Sequence, residues 1–215
     1  MSEFDTFFNN HTFDAHLPMY ETYCSLIRRC YYNQYDNQEQ AEHMAQRCID
    51  WLKSTDFFVA PASTKYHDAE PSGLLRHTLL VAKTVNDLSN LPQFQTVDIS
   101  EAILAALVHD WCKIDFYEEY SKNVKDETTG AWFQQRAYRC KGAAIPLGHG
   151  VTSLFMAQKF FKINVEQALA IRWHMGGFDE AVKGGSYALS GAWEKYPLGV
   201  LLHCADLQAS YLDEK

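Results

Sequence analysis

Long hydrophobic runs are missing from this 215-residue chain. The longest unbroken one, Ala102 to Val108, has seven residues, where a membrane span needs about 20. No membrane partner is therefore expected. The opening Met-Ser-Glu-Phe-Asp is acidic and lacks the basic and apolar regions of a signal peptide, so a cytoplasmic location is expected. Positive charge is scarce. Nineteen Lys+Arg stand against 27 Asp+Glu, for a net charge of −8, which argues against a broad duplex-binding surface but leaves room for a local basic pocket. No CxxC pair occurs among the six cysteines at 24, 30, 48, 112, 140 and 204. The chain is too long and too apolar to need disulfide staples, so free thiols are expected. Repeats, low-complexity tracts and long linkers are also lacking. What is present is core material: 47% of residues are hydrophobic and 14% aromatic, enough to offset the ordering entropy that keeps polar chains disordered.

Helical periodicity dominates. Residues 1 to 16 are aromatic and polar without clear period and read as an arm packed on the body. Helices are expected over Tyr20–Tyr32 and Gln38–Leu52, separated by the polar turn Asn33–Asn37. Pro61 and Pro71 make Asp56–Pro71 an ordered loop. Gly73–Asn90 carries Leu74, His77, Thr78, Val81, Val85 and Leu88 on one stripe. Asp98 or Ser100 caps a helix over Glu101–Trp111 that is apolar nearly all round and belongs in the centre of a bundle. Glu118–Leu147, polar and punctuated by Gly130, Gly142 and Pro146, reads as one long loop. Helices follow over His149–Phe161 and over Val165–His174, the second capped by Asn164. Gly184–Ser190 reads as loop, and a final helix runs from Pro197 to about Leu212. No segment alternates convincingly as a strand. The expected fold is all-α, a single helical bundle with one long loop before the His149 helix.

Six metal-competent side chains fall on inward positions of these helices. The central apolar helix ends in His109-Asp110, and a carboxylate arriving in such surroundings must be paired, hydrogen-bonded or metal-bound. His77 lies on the buried stripe of its helix, His149 opens a helix on its inward face, and His174 closes one beside Gly176-Gly177. Asp206 shares the inward stripe of the last helix with Gly199, Leu202 and Ala209. One histidine on an apolar face is ordinarily a satisfied core residue. Six such groups in one interior would leave several polar atoms short of partners, at about 1–3 kcal/mol each, unless a cation sits among them.

The order His77 … His109-Asp110 … His149 … His174 … Asp206 resembles the HD-domain superfamily of metal-dependent phosphohydrolases. The segment Phe57–Thr78, FFVAPASTKYHDAEPSGLLRHT, looks like the opening of the HD domain in 3′-to-5′ exoribonucleases. His109-Asp-Trp-Cys-Lys113 is similar to the "HD.GK" motif, Leu147-Gly-His149-Gly to the "GH" helix start, and Leu202-His-Cys-Ala-Asp206-Leu to the closing "LHYAD.L". The resemblance covers Phe57 to Leu212. It implies a helical HD core over 57–212 on which residues 1–56 pack as a helical extension, the whole forming a single domain over 1–215. It implies one or two divalent ions, the first held by His77, His109, Asp110 and Asp206, the second bridged by Asp110 and held by His149 and His174. Imidazole and carboxylate ligands suit Mn, Fe, Ni or Zn better than Ca. The chain departs from the exoribonuclease pattern at Met175, where a second histidine is usual, at Arg76 in place of Glu, and at Cys112 in place of Gly. Residues 1–56 also read as helices, not as a nucleic-acid-binding OB domain. These departures point away from RNA degradation more than from hydrolysis.

The implied activity is hydrolysis of a phosphate ester in a nucleotide or short oligonucleotide by a metal-activated hydroxide. Asp110 and Asp206 orient the water, and Lys113, read as one turn beyond His109 on the same helical face, neutralises phosphoryl charge. Arg136, Arg139 and Lys141, interleaved with Phe133 and Tyr138, form a cationic and aromatic patch suited to phosphates and a base. His67 and Asp68 stand where they could position substrate. His203, three residues before Asp206, reads as a supporting or core histidine. Expected partners are a small phosphorylated substrate, in the first place a nucleotide, or short single-stranded nucleic acid. Two other classes stand beside it: an HD-fold di-iron oxygenase, which resembles this ligand order, and a non-catalytic nucleotide-sensing module, against which the complete ligand set argues.

Overall fold

Capping chemistry fixes several helix starts. The computed structural model describes residues 3–9, 16–65 and 68–214. Its helices are α1 (Glu3–Asn9), α2 (His16–Gln34), α3 (Gln38–Lys53), α4 (Gly73–Ser89), α5 (Ile99–Val108), α6 (His149–Ala157), α7 (Val165–Trp173), α8 (Glu180–Lys183), α9 (Ala188–Lys195) and α10 (Pro197–Gln208). The Asn37 side chain accepts from the Gln40 amide at the start of α3. Asp98, not Ser100, caps α5 by accepting from the Ser100 and Glu101 amides. Asn164 and Gln167 form a reciprocal capping box on α7. Pro197 opens α10, where its missing N–H costs nothing.

The bundle is centred on α5, whose residues Ala102 to Val108 are all buried. α4, α7 and α10 pack around it, and α6 lies against α7. Two glycines permit close approaches that position the histidines. A Cβ on Gly150 would stand 2.2 Å from the Arg172 carbonyl oxygen, so glycine lets the start of α6 press on the end of α7 and brings the His149 and His174 rings to 5.1 Å. A Cβ on Gly73 would stand 2.0 Å from the Asp68 carbonyl oxygen, so glycine lets the preceding loop tuck under α4, one turn before His77.

One main core joins α1 to α7 and α10, while Leu189 and Ala192 of α9 pack with Trp173 in a smaller cluster. Phe4 and Phe8 of α1, Tyr23, Leu26 and Ile27 of α2 and Leu52 of α3 are buried in one cluster with Leu74, Leu107, Trp111 and Leu202. Residues 10–15, part of the expected arm, lie outside the described residues. The buried Tyr23 hydroxyl donates to the Leu107 carbonyl at 3.0 Å and accepts from Trp111 Nε1 at 3.0 Å. Trp51 of α3 stacks on Phe160 at 4.5 Å and meets Trp111 at 5.1 Å. The helices of residues 1–56 thus clamp both sides of His109-Asp110.

The expectation of one long loop before His149 needs correction. Strands β1 (Tyr117–Lys125) and β2 (Trp132–Cys140) pair antiparallel, Tyr117 opposite Cys140 and Lys125 opposite Trp132. Apolar alternation was absent because most residues on both faces are solvent-exposed, so no buried face imprinted a period of two. Asp126 closes the turn, its carboxylate accepting from the Thr128 and Thr129 amides, with Gly130 at φ +73°. A lone two-stranded hairpin is marginal in water; here its base is anchored by the nearly buried Tyr138 and by the Tyr117 hydroxyl donating to the Ala62 carbonyl. Other boundaries also shift. α5 stops at Val108 and a tight 3-10 turn over Trp111–Lys113 follows, α9 starts inside the expected 184–190 loop, and beyond Gln208 the last helix widens into a π turn over Ala209–Asp213.

Tyr23→Phe removes the hydroxyl that serves both Leu107 and Trp111. The variant is expected to lose about 1–3 kcal/mol of stability, the cost of leaving buried polar groups unpartnered. Urea denaturation checks this; the midpoint should fall while the slope stays constant.

Candidate metal centre

Each of the six metal-competent side chains sits at or near an end of a helix or within the bundle's centre, and the fold brings all six together. His109 is the C-terminal cap of α5, and His174 that of α7. Each uses its ring in the same way. His109 Nδ1 donates to the Ala106 carbonyl and His174 Nδ1 to the Ile171 carbonyl, both at 2.7 Å. These bonds satisfy carbonyls left over at the helix ends. They also fix the tautomer: with the proton on Nδ1, each neutral ring turns a bare Nε2 lone pair inward. His77 lies mid-bundle on α4, and its Nδ1 is held at 2.6 Å by Glu214 Oε1.

With the rings neutral, the consequence is a set of lone pairs facing one another. His77 Nε2 and His109 Nε2 are 3.3 Å apart, with both Nδ1 atoms already committed. His174 Nε2 is buried with no hydrogen-bond partner. The carboxylates complete the pattern. Asp110 Oδ2 faces His77 Nε2 at 3.4 Å, His109 Nε2 at 3.5 Å and Lys113 Nζ at 2.7 Å. Its Oδ1 faces His149 Nε2 at 2.7 Å and His174 Nε2 at 3.5 Å. Asp206 Oδ1 lies 3.3 Å from His77 Nε2. Two groupings of imidazoles and carboxylates alone follow, His77–His109–Asp206 and His109–Asp110–His174, each with ligand atoms within 4.8 Å of one another.

Charge makes the same demand. Asp110, Asp206 and Glu214 place three carboxylates around His77, and the Lys113 ammonium lies against Asp110. Carboxylates gathered this deep need positive charge beside them. Protons take up the balance in the metal-free arrangement. Burial alone would lower the His77 pKa, but Asp110, Asp206 and Glu214 lift it well above the ordinary value. Burial would likewise lower His149, and Cys112 and Asp110 raise it to about 9. Burial pushes the Asp110 carboxyl up, yet Lys113 and His109 hold it well below the usual range, and the His77 ring does the same for Asp206. The orphaned His174 Nε2, the opposed histidine lone pairs and the mixed nitrogen–oxygen donor set fit one or two divalent transition metals.

A cavity of about 440 Å³ opens directly on this cluster. Asp110, His149 and Asp206 form its floor; Lys113, Lys183, His203 and Ser210 are its other polar groups, and Met175, Phe178, Leu207 and Tyr211 are its largely apolar walls. Lys113 reaches it from the 3-10 turn after Asp110, not from the helical face expected of it. His203 donates from Nδ1 to the His174 carbonyl at 2.6 Å, the supporting role read from sequence.

The fold does not bring Arg136, Arg139 or Lys141 to this cavity. The first two lie on the exposed hairpin and pair with its acids, Arg136 with Glu119 at 3.1 Å and Arg139 with Glu118, and Lys141 follows β2 on the surface. The cross-strand register neutralises the patch, a pairing invisible while the segment reads as a loop. His67 lies outside the described residues. Asp68 is buried against Arg76, whose Nε donates to it at 3.0 Å, away from the cavity lining. Glu214, Lys183, Phe178 and Tyr211 were not legible in the sequence. Glu214 stands 137 residues from the histidine it holds, past a π turn that no simple periodicity signals.

Residues 74–208 match the HD domain family, and the chain belongs to that family. No curated protein and no solved structure matches it. No described helix is long and apolar enough to cross a membrane.

Two outcomes test the cluster. Glu214→Gln keeps the shape but removes the charge behind His77, and should weaken metal affinity about 10–100-fold, measured by titration calorimetry. The second concerns pH. The folded pKa of His149, about 9, stands above its ordinary 6.5, so its pairing with Asp110 adds stability to chelator-treated protein that is full below about pH 6.5 and lost as pH climbs through about 9. The thermal midpoint of chelated protein should fall over that range. With saturating zinc the trend should weaken or reverse, because the ion displaces those protons. A chelated midpoint that rises with pH would contradict the assignment.

Proposed function

We propose that this chain is a metal-dependent phosphohydrolase that cleaves a phosphate ester of a nucleotide or short oligonucleotide. The observation that carries the reading is the division of labour on Asp110. Its two oxygens face two different sets of imidazoles, and Lys113 grips one of them at the cavity floor. His77, His109, Asp110 and Asp206 would hold one ion, and Asp110, His149 and His174 a second. Bound there, Mn, Fe, Ni or Zn would lower the pKa of a water and offset charge on the phosphoryl oxygens.

The chain's own residues do the rest. Asp110 and Asp206, both held ionised, can only accept hydrogen bonds, so they orient the protons of an attacking water. Lys113, whose protonated form is reinforced by Asp110 against the effect of burial, presents a fixed positive charge to a phosphoryl group. Lys183 also lines the cavity, and no carboxylate pairs with it among the described residues. It is the cation left free to meet a second phosphate or a diester backbone, the role first expected of Arg136, Arg139 and Lys141. Phe178 and Tyr211 remain 53% and 57% exposed beside the same opening, and such rings offer faces on which a base stacks. Two lysines and two open aromatic rings favour a phosphorylated, base-bearing substrate over the small neutral substrate an oxygenase would admit.

The test is a panel of nucleotides, cyclic nucleotides and short oligonucleotides assayed with Mn²⁺ after elemental analysis of the purified protein. Asp110→Ala should lose both tight metal binding and turnover. Lys183→Ala should keep its metal and lose about tenfold or more in kcat/KM, the worth of one charge-assisted hydrogen bond. Full activity of metal-free Asp110→Ala would overturn the reading. Iron with oxygen consumption would indicate the oxygenase, and nucleotide binding without turnover the sensing module.

A further inference from the structure

Six cysteines are free in the structure. Cys24, Cys30 and Cys48 are buried in the α2–α3 packing, and Cys140 and Cys204 are exposed. Cys112 differs from all of them in its neighbours. It lies in the 3-10 turn directly after Asp110, half-buried, and its sulfur, an Asp110 oxygen and a His149 nitrogen all lie within 4.8 Å of one another. Its position is built. The Cys112 amide donates to the Oγ of the fully buried Ser153 at 3.0 Å. Ser153 belongs to α6, the helix that opens with His149. One helix therefore supplies an imidazole and fixes the turn that carries the thiol. A second observation points to a ligand at the same place: fully buried His174 aims an unpartnered Nε2 at Asp110 Oδ1, the oxygen that also meets His149.

We propose that Cys112 is itself a metal ligand, its sulfur joining Asp110 Oδ1, His149 and His174 around one cation. The inference rests on the metal-binding part of the proposed function and deepens it. A tetrahedral ion with Zn–S near 2.3 Å and Zn–N near 2.0–2.1 Å sets its donors about 3.5 Å apart; the Cys112, Asp110 and His149 donors, within 4.8 Å of one another, reach that spacing with small side-chain movements, and His174 joins them through Asp110 Oδ1, 3.5 Å from its Nε2. On binding, the S–H bond breaks, the sulfur keeps the electron pair and donates it to the ion, and the proton leaves to solvent. The two halves of the centre then differ in kind. His77, His109, Asp206 and Asp110 Oδ2 offer nitrogen and oxygen alone. The half containing Cys112 adds soft sulfur and selects zinc, ferrous iron or cobalt over manganese. The centre is built to hold two different metals, or to take a second ion only when a thiophilic one is available.

The test uses the full-length chain, stripped with chelator and titrated with Co²⁺ alone. A thiolate-to-cobalt charge-transfer absorption in the near ultraviolet should grow with binding, persist in Cys140→Ser and vanish in Cys112→Ser. In parallel, Zn²⁺ should protect one thiol of the wild-type protein from a thiol-reactive dye, a readout that needs no variant and so survives any misfolding of Cys112→Ser. Zinc affinity of the sulfur-bearing half should drop about 10–100-fold or more in Cys112→Ser, at least the loss seen when a ligand's supporting contact is removed, while the other half still takes manganese. Cobalt bound without the charge-transfer band, a band that survives in Cys112→Ser, or no protection by zinc would each overturn the Cys112 assignment and leave the metal centre standing. No cobalt bound at all would overturn both.

Discussion

One buried carboxylate carries the site. Asp110 meets an ammonium and four imidazoles at once, Lys113, His77 and His109 on one oxygen, His149 and His174 on the other. A carboxylate this deep is costly unless positive charge surrounds it. The histidines cannot supply that charge while neutral, and with the Nδ1 atoms of His109 and His174 committed to helix-end carbonyls they bring only lone pairs to the centre. The site is therefore under-supplied with positive charge by construction. Protons relieve this in the metal-free form, and divalent ions do so without leaving nitrogen lone pairs opposed.

Much of the surrounding fold serves to hold that carboxylate where α5 ends. The apolar helix delivers His109 as its cap, and the chain then leaves helical geometry so that Asp110, Cys112 and Lys113 can point to different sides of the centre. Such a turn inside a core needs support for its backbone and for Trp111. Tyr23 and Trp51, from the helices that precede the HD region, provide it. At the far end of the chain the π turn that continues α10 brings Glu214 to the outer nitrogen of His77. Segments on either side of the family-matched region thus take part in the site.

Legibility followed burial. The helices α4, α5, α6, α7 and α10 were readable within a few residues, and so were the six side chains they carry or end on, because periodicity and inward placement are the same information. The hairpin was not readable, since an exposed two-stranded ribbon buries neither face. Its arginines looked like a substrate patch because their partners, Glu118 and Glu119, lie across the ladder and not beside them in sequence. Glu214, Lys183 and Phe178 were hidden for a related reason. They act from turns and short helices, where position depends on tertiary contacts and local pattern says little. Lys113 was expected one turn beyond His109 on a helical face, whereas it stands beside Asp110 from the 3-10 turn, a placement that helical spacing does not encode.

The most direct test is an anomalous difference map from crystals grown with zinc and recorded at the zinc edge. The account predicts density about 2.0–2.3 Å from Asp110 and from inward Nε2 atoms of the surrounding histidines, at one or both of Asp110's oxygens. A well-ordered centre with no anomalous density, or with a zinc peak ligated by none of His77, His109, His149, His174 and Asp206, would contradict it.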